Sequence, residues 1–181
     1  GYTRDFPLEQ HYRDNRLNPI HEGTNGIQAL DLAGRKAVMA DGRGLDLFMW
    51  RLAETSSAAS GDARLAPMAS RLSAMGAAIR TSFERLADIS RTDGSRAAMA
   101  RAHDVMELVG AATFAWIWLE QARAARTPPG GASDAERLRR EGLVLTCQDV
   151  FARTVPRADA AAGRIAGEEP AYVAIDDAML G

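Results

Sequence analysis

The chain has 181 residues and a single cysteine, Cys147. One thiol makes no intrachain disulfide and no cysteine-based zinc site, and it fits a reducing, cytoplasmic setting. Lysine is almost missing as well. Lys36 stands alone among many arginines, a bias read as genomic rather than chemical. Neither sign of charge dominates: the formal net charge is −2, which gives no reason to expect a nucleic-acid partner or a polybasic membrane contact. Long hydrophobic runs are lacking too. The longest, "AATFAWIWL" at 111–119, falls far short of the ~20 residues that span a bilayer. No basic segment followed by an apolar one opens the chain, so no signal peptide is expected. It begins at "GYTRDFP" without a methionine and reads as a piece of a longer protein.

What is abundant is alanine, arginine and leucine, with few aromatics. These are helix formers. No strand-like alternation is long enough to count, and the expected fold is all-α, an up-down helical bundle. Pro7 suits a helix first turn, with a short helix to about Asn15. Thr24 is a credible N-cap for a helix to about Ala40. "DGRG" at 41–44 ends that helix, and another is expected from Leu45 to about Ala59. Leu65, Met68, Leu72, Met75, Ile79, Phe83, Leu86 and Ile89 then recur at three- and four-residue steps, a stripe of about seven turns. A further long helix should bury Met99, Ala102, Met106, Val109, Thr113, Trp116 and Leu119 on one face. Its later turns are apolar all round, which suits a bundle interior or a subunit interface. Ser133 and Glu136 form a capping box for a last helix with a stripe through Leu138, Val144, Cys147, Val150 and Phe151. Pro156 should kink or interrupt it. "ERLRRE" at 136–141 reads as a solvated face with i,i+4 pairs.

The stretch "NPIHEGTNGIQ" at 18–28 carries the chemistry. Glu22 sits on a short loop between an imidazole and a glycine, where no helical ladder holds it. A carboxylate so placed can serve as a general base once an apolar ligand desolvates it. On spacing alone, a solvated acid at the positive end of the next helix is the commoner explanation. Gly23, Thr24, Asn25 and Gly26 put free amides and a hydroxyl at a helix start, a possible phosphate seat or an ordinary capped start. His11, His21 and His103 share no ligand spacing, so no metal is expected. Trp50, Trp116 and Trp118 read as core, with an acyl-pocket lining as the alternative.

The opening 36 residues, "GYTRDFPLEQHYRDNRLNPIHEGTNGIQALDLAGRK", closely resemble the end of the catalytic region of flavin-dependent acyl-CoA dehydrogenases. The shared frame is Gly1-Tyr2, Pro7, Arg13-Asp14, Glu22-Gly23-Thr24 and Ile27-Gln28. His21 stands where the family usually has tyrosine, and Gly26 where it has a longer polar residue. The resemblance implies that Glu22 is the base that removes the substrate α-proton. It also implies that Gly23 and His21 pack at the thioester, and that Thr24, Asn25 and Gly26 approach FAD.

The remainder resembles, in architecture and register, the helical extension of larger bacterial members such as those acting on methylthiopropanoyl-CoA. Residues 1–44 are thus expected to close the catalytic helical domain, and 45–181 to form the extension. The implied reaction is α,β-dehydrogenation of an acyl-CoA, with hydride passed to FAD and electrons to an electron-transfer flavoprotein, in a homodimer or homotetramer. The piece alone is expected neither to retain FAD nor to turn over. The alternative is a helical oligomerisation or interaction module without chemistry of its own, motivated by the apolar end around Trp116 and Trp118.

Overall fold

A computed structural model describes residues 8–20, 25–127, 130–168 and 170–180. Among the described residues all regular structure is helical. The elements are α1 (Glu9–Arg16), α2 (Asn25–Asp31), α3 (Arg43–Ala59), α4 (Ala66–Thr92), α5 (Ser95–Met99), α6 (Ala102–Ala125) and α7 (Asp134–Ala166). Single 3-10 turns lie at Asn18–Ile20, Ala171–Ala174 and Asp177–Met179.

Four long helices make the bundle, and their directions follow from who touches whom. Arg164 of α7 reaches Asp104 at the start of α6, while Arg140 reaches the Ala124 carbonyl at its end, so α6 and α7 are antiparallel. Arg64 meets Glu141 and Met68 meets Cys147, so α4 and α7 run the same way. Phe48 of α3 meets Trp116 of α6, and Thr55, further along α3, meets Glu120, further along α6, which sets those two parallel. The order is up, down, up, down, as the pattern predicts.

The stripe expected on α4 is the one that is buried. Leu72 and Ile79 are fully covered, and Met68, Met75, Leu86 and Ile89 nearly so, with Phe83 on the flank. Gly76 lets α3 come close. A Cβ there would stand 3.4 Å from Met49 Cε and 3.8 Å from Leu52 Cδ1.

On α6 the buried line differs from the expected one. Val105, Leu108, Ala112, Ala115, Leu119 and Ala122 face inward, and Met106, Val109, Thr113 and Trp116 flank them. Alanines at the centre allow close helix approach, so the small residues take the seam and the larger ones its edges. The helix expected through Met99 also breaks. Arg101 is 2 % exposed and donates to the Ala97 carbonyl at 3.0 Å and to the Gly167 carbonyl at 3.5 Å. Both acceptors lie at helix C-terminal ends, where the backbone dipole favours a cation.

Three further expectations are corrected. The helix after Asn25 is α-helical only to Asp31. It then widens into a π turn, Leu32–Lys36, in which the Ala37 N–H bonds the Leu32 carbonyl at 3.0 Å. Ala40, Asp41 and Gly42 follow with φ of 52°, 57° and 80°, and α3 begins at Arg43. Leu138 is 74 % exposed, because it lies about half a turn round α7 from the buried Cys147, on the face turned to solvent. Pro156 does not interrupt α7. It lies on the exposed side, so the carbonyl it orphans meets water while Phe151, Thr154, Ala158 and Ala161 hold the buried side.

The Ser133 side chain does accept the Glu136 N–H, at 3.2 Å. Glu136 turns its carboxylate to Arg139 and Arg140 instead of completing the reciprocal box. Glu141 leaves the expected local pattern and grips Arg64 of the α4 entry with two bonds, of 2.7 and 2.6 Å. That arginine holds the Glu141 carboxyl below its usual range.

Leu72→Ala should cost about 2–5 kcal/mol of stability in denaturant unfolding, whereas Leu138→Ala should stay within about 0.5 kcal/mol. Equal losses would contradict the burial described.

Candidate functional site

Of the residues singled out by sequence, His21, Glu22, Gly23 and Thr24 lie outside the described residues. Asn25 and Gly26 open α2 and are both exposed. A Cβ on Gly26 would meet nothing within 4 Å, so the backbone there is free for close approach by a ligand. Helix α2 turns Ala29 and Ala33 into the bundle against α6. Ile27 and Leu30 stay exposed. The segment behind the Glu22 loop is thus anchored to the long helices by one narrow alanine edge.

The other candidates divide clearly. His11 and His103 are exposed on separate helices, and the described residues contain no group of histidine, cysteine and carboxylate able to hold a metal. Cys147 is buried beside Met68, and burial pushes its thiol up to about 11. It is therefore protonated and unreactive at neutral pH. Trp50 is not core. It is 53 % exposed, with the Arg51 guanidinium 4.8 Å from its ring centre.

Trp116 is the tryptophan that is held. Its indole N–H donates to Thr55 Oγ1 at 2.8 Å, and the Thr55 hydroxyl donates to Glu120 Oε1 at 2.5 Å. The second Glu120 oxygen accepts from Arg123 at 2.8 Å. Burial pushes the Glu120 carboxyl up, but the bonds from Thr55 and Arg123 outweigh it and hold the group below its ordinary value. The far side of the ring meets Phe48 edge-on, with centres 6.2 Å apart. Together the two rings wall an apolar cavity of about 430 Å³ under the π turn, between Leu32, Met39, Phe83 and Val109. Nothing in the sequence linked Thr55 to Trp116, which lie 61 positions apart.

Among the described residues, an up-down bundle of long helices with the short α2 packed against it defines the class: a helical domain of an all-α kind. Residues 48–176 match the family described as acetyl-CoA dehydrogenase C-terminal like, and the chain belongs to it. It is 33% identical over 156 residues to the 3-methylmercaptopropionyl-CoA dehydrogenase of Ruegeria pomeroyi, covering 86% of this chain and 26% of that protein. A broad-specificity linear acyl-CoA dehydrogenase of Mycobacterium tuberculosis is 35% identical over 65 residues, 36% of this chain and 11% of the relative. The mitochondrial short-chain specific acyl-CoA dehydrogenase of Bos taurus is 53% identical over 34 residues, 19% of this chain and 8% of the relative. The chain thus spans about a quarter of the length of the first of these relatives.

Thr55→Val should leave the partly buried Trp116 N–H without its threonine acceptor and release Glu120. A stability loss of about 1–3 kcal/mol is expected, with a changed tryptophan emission. An unaltered emission and midpoint would mean that the Trp116–Thr55–Glu120 chain does not form in solution.

Proposed function

We propose that this chain serves as the C-terminal portion of a FAD-dependent acyl-CoA dehydrogenase that desaturates an acyl-CoA thioester between its α and β carbons. The observation that carries this is the gap-free run Gly1–Lys36, with Glu22-Gly23-Thr24 ahead of a helix continuing Ile27-Gln28. Residues 1–44 close the catalytic helical domain and 45–181 form the extension. A family match beginning at residue 48 supports that division.

Glu22 is the base. Its carboxylate takes the proton from the carbon next to the thioester carbonyl, a carbon acidified by that carbonyl. An apolar acyl chain laid against the loop desolvates Glu22 and raises its pKa toward the working range. A loop delivers the carboxylate over the substrate where a helix interior could not, and that placement contributes as much as basicity. His21 and Gly23 pack at the thioester. Thr24, Asn25 and Gly26 hold FAD at the start of α2, where exposed backbone and the open space beside Gly26 suit a large anionic group. When bound, FAD supplies the acceptor for the β-hydrogen.

The chain covers about a quarter of its Ruegeria relative, so we assign turnover and tight FAD binding to the longer protein. Its substrates are acyl-CoAs of the class the relatives' names record, its electron partner is an electron-transfer flavoprotein, and its setting is the cytoplasm. In the full-length protein, Glu22→Gln should keep FAD while lowering kcat by about 10²–10⁴ and abolishing anaerobic bleaching of the flavin by acyl-CoA. A variant that bleaches like the parent removes Glu22 from the role.

A second role is favoured by one surface. Phe114 is 52 % and Ile117 46 % exposed on successive turns of α6, with Trp118 edge-on to Phe114 at 6.4 Å. These side chains, rather than the inward-facing Trp116, form the apolar face that would join subunits into a homodimer or homotetramer. Phe114→Asp with Ile117→Asp should lower the oligomer mass seen by light scattering and leave flavin content unchanged. Unchanged mass would assign assembly to another surface.

A further inference from the structure

We infer that the cavity under the π turn is a second ligand site, which takes the hydrocarbon chain of a medium-chain fatty carboxylate and pairs its head group with Lys36. The walls come from four sources: Leu32 and Met39 around the π turn, Phe48 from α3, Phe83 from α4, and Val109 and Trp116 from α6. The volume, about 430 Å³, lies within the range of small-molecule sites. The lining is apolar apart from Lys36, Thr113 and Trp116. The last two are already engaged, Thr113 donating to the Val109 carbonyl at 2.8 Å and Trp116 to Thr55. Only Lys36 is left to recognise a polar head.

Its charge is not cancelled. Asp31 is held by Arg35 through bonds of 2.5 and 3.0 Å, and Lys36 approaches the same carboxylate at 3.3 Å. Two cations share one anion, leaving a net positive charge at an apolar mouth. That complementarity selects an amphipathic anion over a neutral or cationic one. The depressions at the α6–α7 groove and beside Thr55 differ in this respect. Cations and carboxylates balance there: Arg153 pairs with Asp149, Arg157 and Arg164 share Glu107 and Asp104, Arg51 pairs with Glu54 and Arg123 with Glu120.

The backbone around the cavity is also built at a cost. The π turn opens a ring one residue wider than the α-helix, a local form frequent at functional sites. Ala40 and Asp41 then adopt left-handed φ, which residues with a Cβ disfavour. The site lies beyond the far end of α2, about 10–15 Å of helix from the Glu22 loop at 1.5 Å per residue. It therefore does not depend on the role given to Glu22.

The test is calorimetric titration of the full-length protein with decanoate, decan-1-ol and decyltrimethylammonium. Decanoate should bind, and the ammonium compound should bind about tenfold or more weakly. Lys36→Glu should weaken decanoate about tenfold and leave decan-1-ol unchanged. Val109→Phe, which fills the cavity, should weaken both. Lys36 is half-exposed, so its variant tests the proposal even if the filled cavity unfolds the protein. Decanoate affinity should persist with acyl-CoA at saturation. Absence of decanoate binding, equal affinity in Lys36→Glu, or loss of binding when acyl-CoA is present would each overturn the assignment.

Discussion

Close contact between α6 and α7 sets the geometry of everything else in the bundle. Ala112, Ala115 and Ala122 on one helix and Ala158 and Ala161 on the other are all buried, and side chains that short let two long helices approach to a minimal separation. Larger residues fill the gaps: Leu108 and Leu119 from α6, Phe151 and Ile165 from α7. Ionic clasps then fix the register at both ends. Arg164 spans Asp104 and Glu107 with bonds of 2.6 Å each, and Arg140 donates to the carbonyl end of α6. Exposed pairs of this kind contribute little energy singly. Their effect is to choose one sliding position among several that alanine seams would tolerate.

With that pair fixed, α4 packs along α7 and α3 lies over α6, and α2 is left to find a place on the outer side of α6. It buries Ala29, and the π turn and the residue after it add Ala33 and Ala37. So slight an anchor explains why this end of the chain carries the irregular backbone. The π turn and the left-handed run Ala40–Gly42 reverse the chain into α3, and they leave Leu32 and Met39 spanning a cavity instead of filling one. A tighter, all-α connection would have closed that space.

The long helices were legible because burial follows period. The α4 stripe, the Ser133 cap and the small core role of Cys147 all came from local spacing. The α6 face was misjudged by about one residue because its seam is made of alanines, which a search for large apolar side chains passes over. Leu138 failed for a different reason: it lies about half a turn round α7 from Cys147 at 3.6 residues per turn, on the face away from the core. The π turn had no visible signal, since "LAGRK" is unremarkable helical sequence. The Thr55–Trp116 bond joins residues 61 apart and depends on the parallel pairing of α3 with α6, which no local pattern encodes. Lys36 was visible as the sole lysine and was assigned to genomic bias. Its setting, two cations around one carboxylate at an apolar mouth, exists only after folding.

The Glu22 loop differs in kind. Its reading came from a linear run of residue types, and a loop base has no periodic partner through which packing could announce it. What the fold adds is the frame that follows Glu22 in the chain: α2 begins with Asn25 and Gly26 exposed, and it packs chiefly against α6. Any change that shifts α6 relative to α7 therefore moves the helix behind the proposed base. Trp116 ties the same helix to α3 through Thr55, so α2 and α3 share one mechanical element. Helix α6 thus carries both the core seam with α7 and the anchorage of α2.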